Sequence, residues 1–128
     1  MNVTGFSVVS VVGALALGVS GCGPSSSFHS TAQPPHPVGA RAPESVAVLV
    51  ALPPASNAVE IGQMDAASST HAPTGDGKAQ ALAQLQTLAG ENGCDAIVVS
   101  EPVEDLFATS NGTPLYKTHQ HAVCLVNR

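Results

Sequence analysis

The sequence predicts one small α+β domain over residues 45–128, a ββαββ arrangement of antiparallel hairpins with one amphipathic helix packed on the sheet. Short apolar runs on both sides of residue 80 have the length and the β-branched content of strands. Between them, the stretch from Lys78 to Asn92 has the apolar spacing of a helix. A chain of 128 residues has room for one such domain.

The first predicted hairpin is formed by residues 45–52 and 58–64. Residues 45–52 (SVAVLVAL) are apolar on both alternating faces, which is typical of a well-covered strand. The turn-forming residues 53–57 (PPASN) interrupt this run, and residues 58–64 (AVEIGQM) predict a second strand. The connection is short enough for an antiparallel pair.

The predicted helix follows a polar, turn-rich loop at residues 65–77. Its apolar stripe comprises Ala81, Leu82, Leu85, Leu88 and Ala89. Asp76 is placed to cap the N-terminus, and Gly93 is placed to end the helix in a left-handed conformation. We expect the leucines of this stripe to pack on a sheet face built from Val48, Val50, Ile97 and Val99.

The second predicted hairpin pairs residues 94–100 (CDAIVVS) with residues 118–126 (THQHAVCLV). A long loop, residues 101–117, connects them, and its acidic residues are Glu101, Glu104 and Asp105. A solvated acidic loop is the favoured interpretation. The functional alternatives are a cation site or a docking loop that offers Phe107 to a partner.

The N-terminal residues predict an export signal. Residues 6–19 (FSVVSVVGALALGV) form an apolar, uncharged run that is too short to span a bilayer but typical of a secretory signal. The run ends in Val19-Ser20-Gly21-Cys22, which resembles the lipobox of bacterial lipoproteins. The resemblance implies a signal peptide over residues 1–21 and a mature N-terminus at Cys22 that carries a diacylglyceryl group and a further acyl chain such as palmitate. The alternative is an ordinary secretory signal with a chance cysteine.

The resemblance to the lipobox also implies a location. A lipidated Cys22 would use the membrane as a partner and hold the domain at the cell envelope, outside the cytoplasm. Because Gly23 rather than Asp follows Cys22, the sorting preference of enteric lipoproteins implies the outer membrane. Residues 22–44 are then the lipidated cysteine and a Pro- and Ser-rich tether, which has too little apolar surface to fold. His29 and His36 lie in this tether, where two isolated imidazoles make a poor metal site.

The charge of the chain excludes one class of partner, and its motifs give no catalytic set. With four basic residues against nine acidic ones, the net charge of −5 argues against binding to nucleic acid. Neither a nucleophile in a recognisable elbow nor a pair of carboxylates at a catalytic spacing is found. We therefore expect neither an enzyme nor a cofactor.

Two cysteines remain once Cys22 is lipidated, and we expect Cys94 and Cys124 to form a disulfide. Paired cysteines in small exported domains are usually bridged. An antiparallel strand pair centred near residue 109 would place position 94 opposite position 124. The competing interpretation makes both cysteines thiolate ligands of a metal ion.

His119 and His121 are the candidate partners of those cysteines in a metal site. Alternate residues of a strand share a face, so both imidazoles would project the same way, whereas Cys124 has the opposite parity. No third ligand is evident beside them. Two exposed histidines are the favoured interpretation, and no metal site is assigned.

A further resemblance is found at residues 85–99 (LQTLAGENGCDAIVV). This run resembles the helix-to-strand junction of a group of small bacterial envelope domains, which includes the YbjQ-type heavy-metal-binding domains and the lipoprotein sensor of the Rcs stress system. Val59-Glu60-Ile61-Gly62 is similar to the opening of their second strand. Ala122-Val123-Cys124 is similar to a motif near the C-terminus of the Rcs sensor.

The tether, the small core and the absence of a catalytic set predict a non-enzymatic envelope lipoprotein that acts as a binding or sensing module. Another envelope protein is its candidate partner. The alternative is a zinc- or copper-binding envelope lipoprotein that uses His119 and His121 with Cys94 or Cys124.

Overall fold

A computed structural model describes residues 23–128 except Ala55 and Thr74, so the predicted signal peptide and Cys22 lie outside the described residues. The elements in chain order are β1 (Ser25–Ser30), a 3-10 turn (Pro43–Ser45), β2 (Ala47–Leu49), β3 (Ala58–Ala67), α1 (Gly77–Glu91), β4 (Ala96–Val99), β5 (Val103–Ser110) and β6 (Thr113–Asn127). Within this part of the chain, no helix is long and apolar enough to cross a membrane.

The strands of the described chain form one mixed sheet in the order β1-β3-β6-β4-β2, and β5 pairs with β6 beside this path. The long β6 pairs with β3 along one side and with β4 and β5 along the other, all antiparallel. The predicted ββαββ domain with two hairpins is therefore wrong. Instead of pairing with β3, the three-residue β2 lies parallel to β4 at the far edge of the sheet. The ten-residue β3 gains a longer ladder from β6 than β2 could supply.

The N-terminal segment predicted to be an unstructured tether contributes β1, so that prediction is wrong for Ser25–Ser30. This strand pairs antiparallel with β3, from Ser25 opposite Ala67 to Ser30 opposite Gly62. Phe28 packs against the core, and a Cβ at Gly62 would lie 2.3 Å from the Cζ atom of its ring. A serine-rich strand forms here because the edge of β3 is available for pairing and because the Phe28 ring packs over Gly62, which has no side chain.

The chain that follows β1 is also held against the domain. The backbone N–H of Arg41 donates to the carbonyl oxygen of Gly90 (2.8 Å), and its guanidinium forms an ion pair with Asp95. Val38 packs against the core. Average composition does not reveal these few anchoring residues.

The predicted loop at residues 101–117 is also wrong, because β5 and the first part of β6 form a hairpin there. Asn111 (φ 50°) and Gly112 (φ 78°) make its turn. Asn-Gly is the pair that a two-residue hairpin with positive φ angles prefers. This dipeptide was the sequence signal for the hairpin. The strands on either side of it contain acidic residues, threonine and serine, so they lack an apolar strand pattern.

The helix begins and ends within one residue of its predicted bounds. Leu85 is fully buried and Leu82 and Leu88 are half-buried, so the predicted stripe does face the sheet. Gly93 has a left-handed φ of 74°, whereas the side chain of Asp76 makes no capping hydrogen bond. Val50 was expected in the core, but it is 87% exposed because β2 ends at Leu49. The largest fully buried apolar side chains are those of Met64, Leu85, Ile97 and Val126.

Cys94 and Cys124 are joined by a disulfide whose Cα atoms are 5.6 Å apart, and both residues are fully buried. The expected register was wrong, because Ile97 and not Cys94 lies opposite Cys124. Cys94 precedes β4, and its N–H donates to the carbonyl oxygen of Ala89 (2.9 Å). The disulfide therefore connects the end of α1 to the middle of the sheet.

Candidate functional site

The two faces of the sheet differ, because α1 covers one of them and no helix of the described chain lies on the other. Side chains of β6 alternate between the faces. Gln120, Ala122 and Cys124 are buried on the helix side. His119 and His121 project from the helix-free face, where each side chain is more than a third exposed.

A groove of about 380 Å³ lies on the helix-free face. Serines of β1 line one side of it, and their small side chains leave the space open. Asp65, His119 and His121 line its floor, and Glu101 lies at the end of β4. The groove therefore displays hydrogen-bonding and ionisable groups from four strands or strand ends.

The two histidines in this groove each have their own carboxylate partner. His121 lies directly opposite Asp65 in the sheet, and its Nδ1 is 3.0 Å from the Asp65 Oδ1. The Nε2 atom of His119 is 3.6 Å from an Oδ2 of Asp105 on β5. Because one histidine turns to β3 and the other to β5, the two imidazoles do not converge on a shared point.

The structure does not bring together the ligands of the predicted metal site. Cys94 and Cys124 are bonded to each other and buried on the helix side, whereas the histidines lie on the opposite face. Across residues 23–128, apart from the two undescribed positions, no group of three or more His, Cys, Asp or Glu side chains is arranged to hold a metal ion.

Gln120 places an unpaired acceptor below the groove. Its Nε2 donates to the carbonyl oxygen of Ser100 (2.8 Å), while its buried Oε1 has no hydrogen-bond partner among the described residues. An unpaired buried acceptor costs free energy.

A second polar cluster, away from the groove, fastens the loop before α1. The N–H of Thr118 donates to Ser68 Oγ (2.9 Å), and the Nε2 atom of His71 is 3.0 Å from Thr118 Oγ1. Thr118 and Ser68 are fully buried. These groups satisfy one another, so the cluster has a structural role.

Among the described residues, large apolar side chains are exposed at two places. One lies at the end of β2 and comprises Val48, Val50 and Leu52; the other lies on β5 and comprises Val103, Leu106 and Phe107. The Nζ atom of Lys117 lies 4.9 Å from the centroid of the Phe107 ring, within the range of a cation–π contact. Sequence reasoning placed Phe107 in a loop, and only the hairpin reveals the patch around it.

His36 makes two polar contacts that the composition of its segment does not predict. Its Nδ1 lies 3.1 Å from the Pro37 carbonyl oxygen, and its Nε2 lies 2.8 Å from the Asn127 carbonyl oxygen. Both oxygens can only accept, so the doubly protonated ring satisfies both contacts. These two carbonyls, Pro37 foremost, raise the pKa of His36 above its ordinary value. The contact joins the segment after β1 to the last strand.

Comparison with known proteins identifies a similar fold and no family. The structure is similar to that of a Francisella virulence factor, FvfA, with a TM-score of 0.53 and 11% sequence identity. The match covers 79% of this chain and 96% of that one. No model of a known protein family matches the chain, and no curated protein matches it. At 11% identity the likeness concerns the fold alone, and it gives no support to the resemblance to the YbjQ-type and Rcs domains.

Proposed function

We propose that the chain is a non-enzymatic lipoprotein of the bacterial cell envelope, anchored through Cys22, whose domain binds another envelope protein through the helix-free face of its sheet. The groove on that face is the observation that carries the binding role. It is open and lined by donors, acceptors and ionisable side chains of several strands.

The anchor and the location are supported by the N-terminal residues and by the disulfide. The apolar run ending in Val-Ser-Gly-Cys is typical of a lipoprotein signal. A buried disulfide in a small domain is typical of proteins exported to an oxidising compartment. The residue after Cys22 is Gly23, which favours the outer membrane.

The chemistry of the groove favours binding over catalysis. The closest pair, His121 with Asp65, is exposed to solvent on both partners. Fixed charges stabilise a transition state best where water is excluded, and this pair is open to water. Exposed polar groups of this kind are typical of the rim of a protein interface, where they form hydrogen bonds with the partner.

Intact-mass analysis tests the anchor. The full chain, expressed in a bacterial host, should lose residues 1–21 and gain acyl mass at Cys22. A Cys22→Ser variant should lose the acyl mass and leave the membrane fraction. A mature chain that begins at another residue, or a Cys22→Ser variant retained in the membrane, would contradict the lipid anchor.

Site-specific cross-linking tests the binding face. A photoreactive phenylalanine analogue replaces Ser27, which lines the groove, or Ala79, which is exposed on the helix. Both positions hold small exposed residues, so the two variants are matched. We expect a discrete adduct with an envelope protein only from the Ser27 position. Equal adducts, or an adduct only from Ala79, would show that the partner binds elsewhere.

A further inference from the structure

The described chain begins beside an exposed hairpin. Lys117 Nζ donates to the carbonyl oxygen of Gly23 (3.2 Å), and the same ammonium lies 4.9 Å from the centroid of the Phe107 ring. Gly23 directly follows Cys22, and consecutive Cα atoms are about 3.8 Å apart. The proposed lipid attachment point is therefore bonded to a residue that itself contacts the β5–β6 hairpin.

The hairpin presents exposed apolar side chains. Every residue of β5 is exposed, and β5 pairs only with β6 among the described strands. Leu106 and Phe107 are 62% and 47% exposed. The pairing shifts between Leu106 and Ala108, so Phe107 is the bulged residue, and its ring lies under Lys117.

We propose that the β5–β6 hairpin lies in the surface of the bilayer, with Leu106 and Phe107 in contact with lipid, when Cys22 is acylated. This inference rests on the proposed lipid anchor. Because β1 starts at Ser25, the chain between the acylated cysteine and the sheet is too short to hold the domain away from the membrane. A long tether would leave the orientation of the domain free, whereas this short one selects the nearest apolar surface.

The side chains of the hairpin suit a membrane interface. Aromatic rings are favoured at the level of the lipid headgroups, and a lysine can keep its ammonium in water while its stem lies along apolar surface. The acidic residues Glu104 and Asp105 on the same strand, together with the net charge of −5, give no attraction to an anionic surface. The contact therefore depends on apolar side chains and on a zwitterionic surface.

The second apolar patch provides a matched control. Leu52 is 52% exposed, close to the exposure of Phe107, but it follows β2 at the far edge of the sheet from β1. If exposure alone determined contact with lipid, both patches would enter the bilayer. If the position of the anchor determines it, only the hairpin does.

A fluorescence experiment distinguishes these cases, because the chain contains no tryptophan. Phe107→Trp and Leu52→Trp variants of the full chain are produced in a bacterium, purified in lipidated form and reconstituted into phosphatidylcholine vesicles. One set of vesicles carries bromine on the acyl chains as a quencher. We expect the Phe107→Trp emission to shift to shorter wavelength and to be quenched by bromine, and the Leu52→Trp emission to show neither change.

The outcomes separate this inference from the proposal on which it rests. A chain without acyl mass would contradict the lipid anchor itself. An acylated Phe107→Trp chain whose emission is insensitive to bromine, or equal quenching of both variants, would overturn the hairpin contact alone. If Phe107→Trp does not fold, as judged by thiol counting and circular dichroism, Leu106→Trp replaces it with the same expected result.

Discussion

The two faces of the sheet are made by alternate residues of the same strands, yet they differ in what covers them. On the helix side, Met64, Leu85 and Ile97 are fully buried, and the disulfide lies among them. On the other side, His119 and His121 face solvent and pair with exposed carboxylates. Stabilisation by apolar burial is therefore concentrated on one face, whereas the other face exposes hydrogen-bonding and ionisable groups.

The largest expected effect concerns the disulfide on the covered face. A Cys94→Ser/Cys124→Ser variant should lose about 3–4 kcal/mol of unfolding free energy, because the unfolded chain regains the freedom of a loop of 30 residues. Urea denaturation with and without reductant measures the loss. Two free thiols in the aerobically isolated wild-type protein would contradict the disulfide.

Leu85→Ala should have the next largest effect. Leu85 is fully buried between α1 and the sheet, and truncation of such a leucine costs about 3 kcal/mol. Thr87→Ala, an exposed position on the same helix, is the control and should change stability by less than about 0.5 kcal/mol. Equal effects in thermal unfolding would mean that the covered face has been misassigned.

The edge of the covered face should show a smaller, coupled effect. Phe28→Ala should cost about 1–2 kcal/mol, since the ring is only half-buried. Gly62→Ala should displace the Phe28 ring. We therefore expect this substitution to lower the unfolding free energy by no more than Phe28→Ala does. In the Phe28→Ala background the second substitution should then cost little, and additive losses in a double-mutant cycle would show that the two positions do not interact.

On the helix-free face the expected change in stability is close to zero. His121→Asn removes the contact between an exposed imidazole and the exposed Asp65 carboxylate, and exposed polar pairs contribute less than about 1 kcal/mol. The same variant should weaken cross-linking from the Ser27 position, because His121 lines the same groove. Strong destabilisation with unchanged cross-linking would reverse the assigned roles of the two faces.

The smallest effect should appear as a pH dependence. The pKa of His36 is raised in the folded protein, so its contribution is fully present below the unfolded pKa and is lost as the pH rises through the folded value. Relative to a His36→Gln variant, the wild-type protein should therefore be more stable at about pH 5 than at about pH 8. The difference should be small because the ring is exposed to solvent, and the opposite sign would exclude the paired carbonyls as its cause.

Patterns of nearby residues predicted the helix and the face of the sheet on which the two histidines lie. The spacing of Ala81, Leu85 and Ala89 located α1 to within one residue, and the alternation of His119 and His121 placed both on one face. Predicting the pairing of Cys94 with Cys124 needed only a count of cysteines and the expectation that the chain is exported. A hydrophobic period is contained in neighbouring residues, and a cysteine count is a property of composition, so neither depends on how the strands pair.

The pairing of the strands does not follow from local sequence patterns. The segment SSSFHS has no strand pattern of its own, and it becomes β1 because β3 has a free edge and Gly62 leaves room for the ring of Phe28. The fifteen-residue β6 likewise pairs with both β4 and β5. Because β2 pairs with β4, it lies at the far edge of the sheet. Strand pairing is a contact between distant parts of the chain, so its free energy depends on partners that no local window of sequence contains. The helix and the cysteine pair therefore follow from the sequence alone, whereas the sheet order and the groove on its open face arise from long-range pairing.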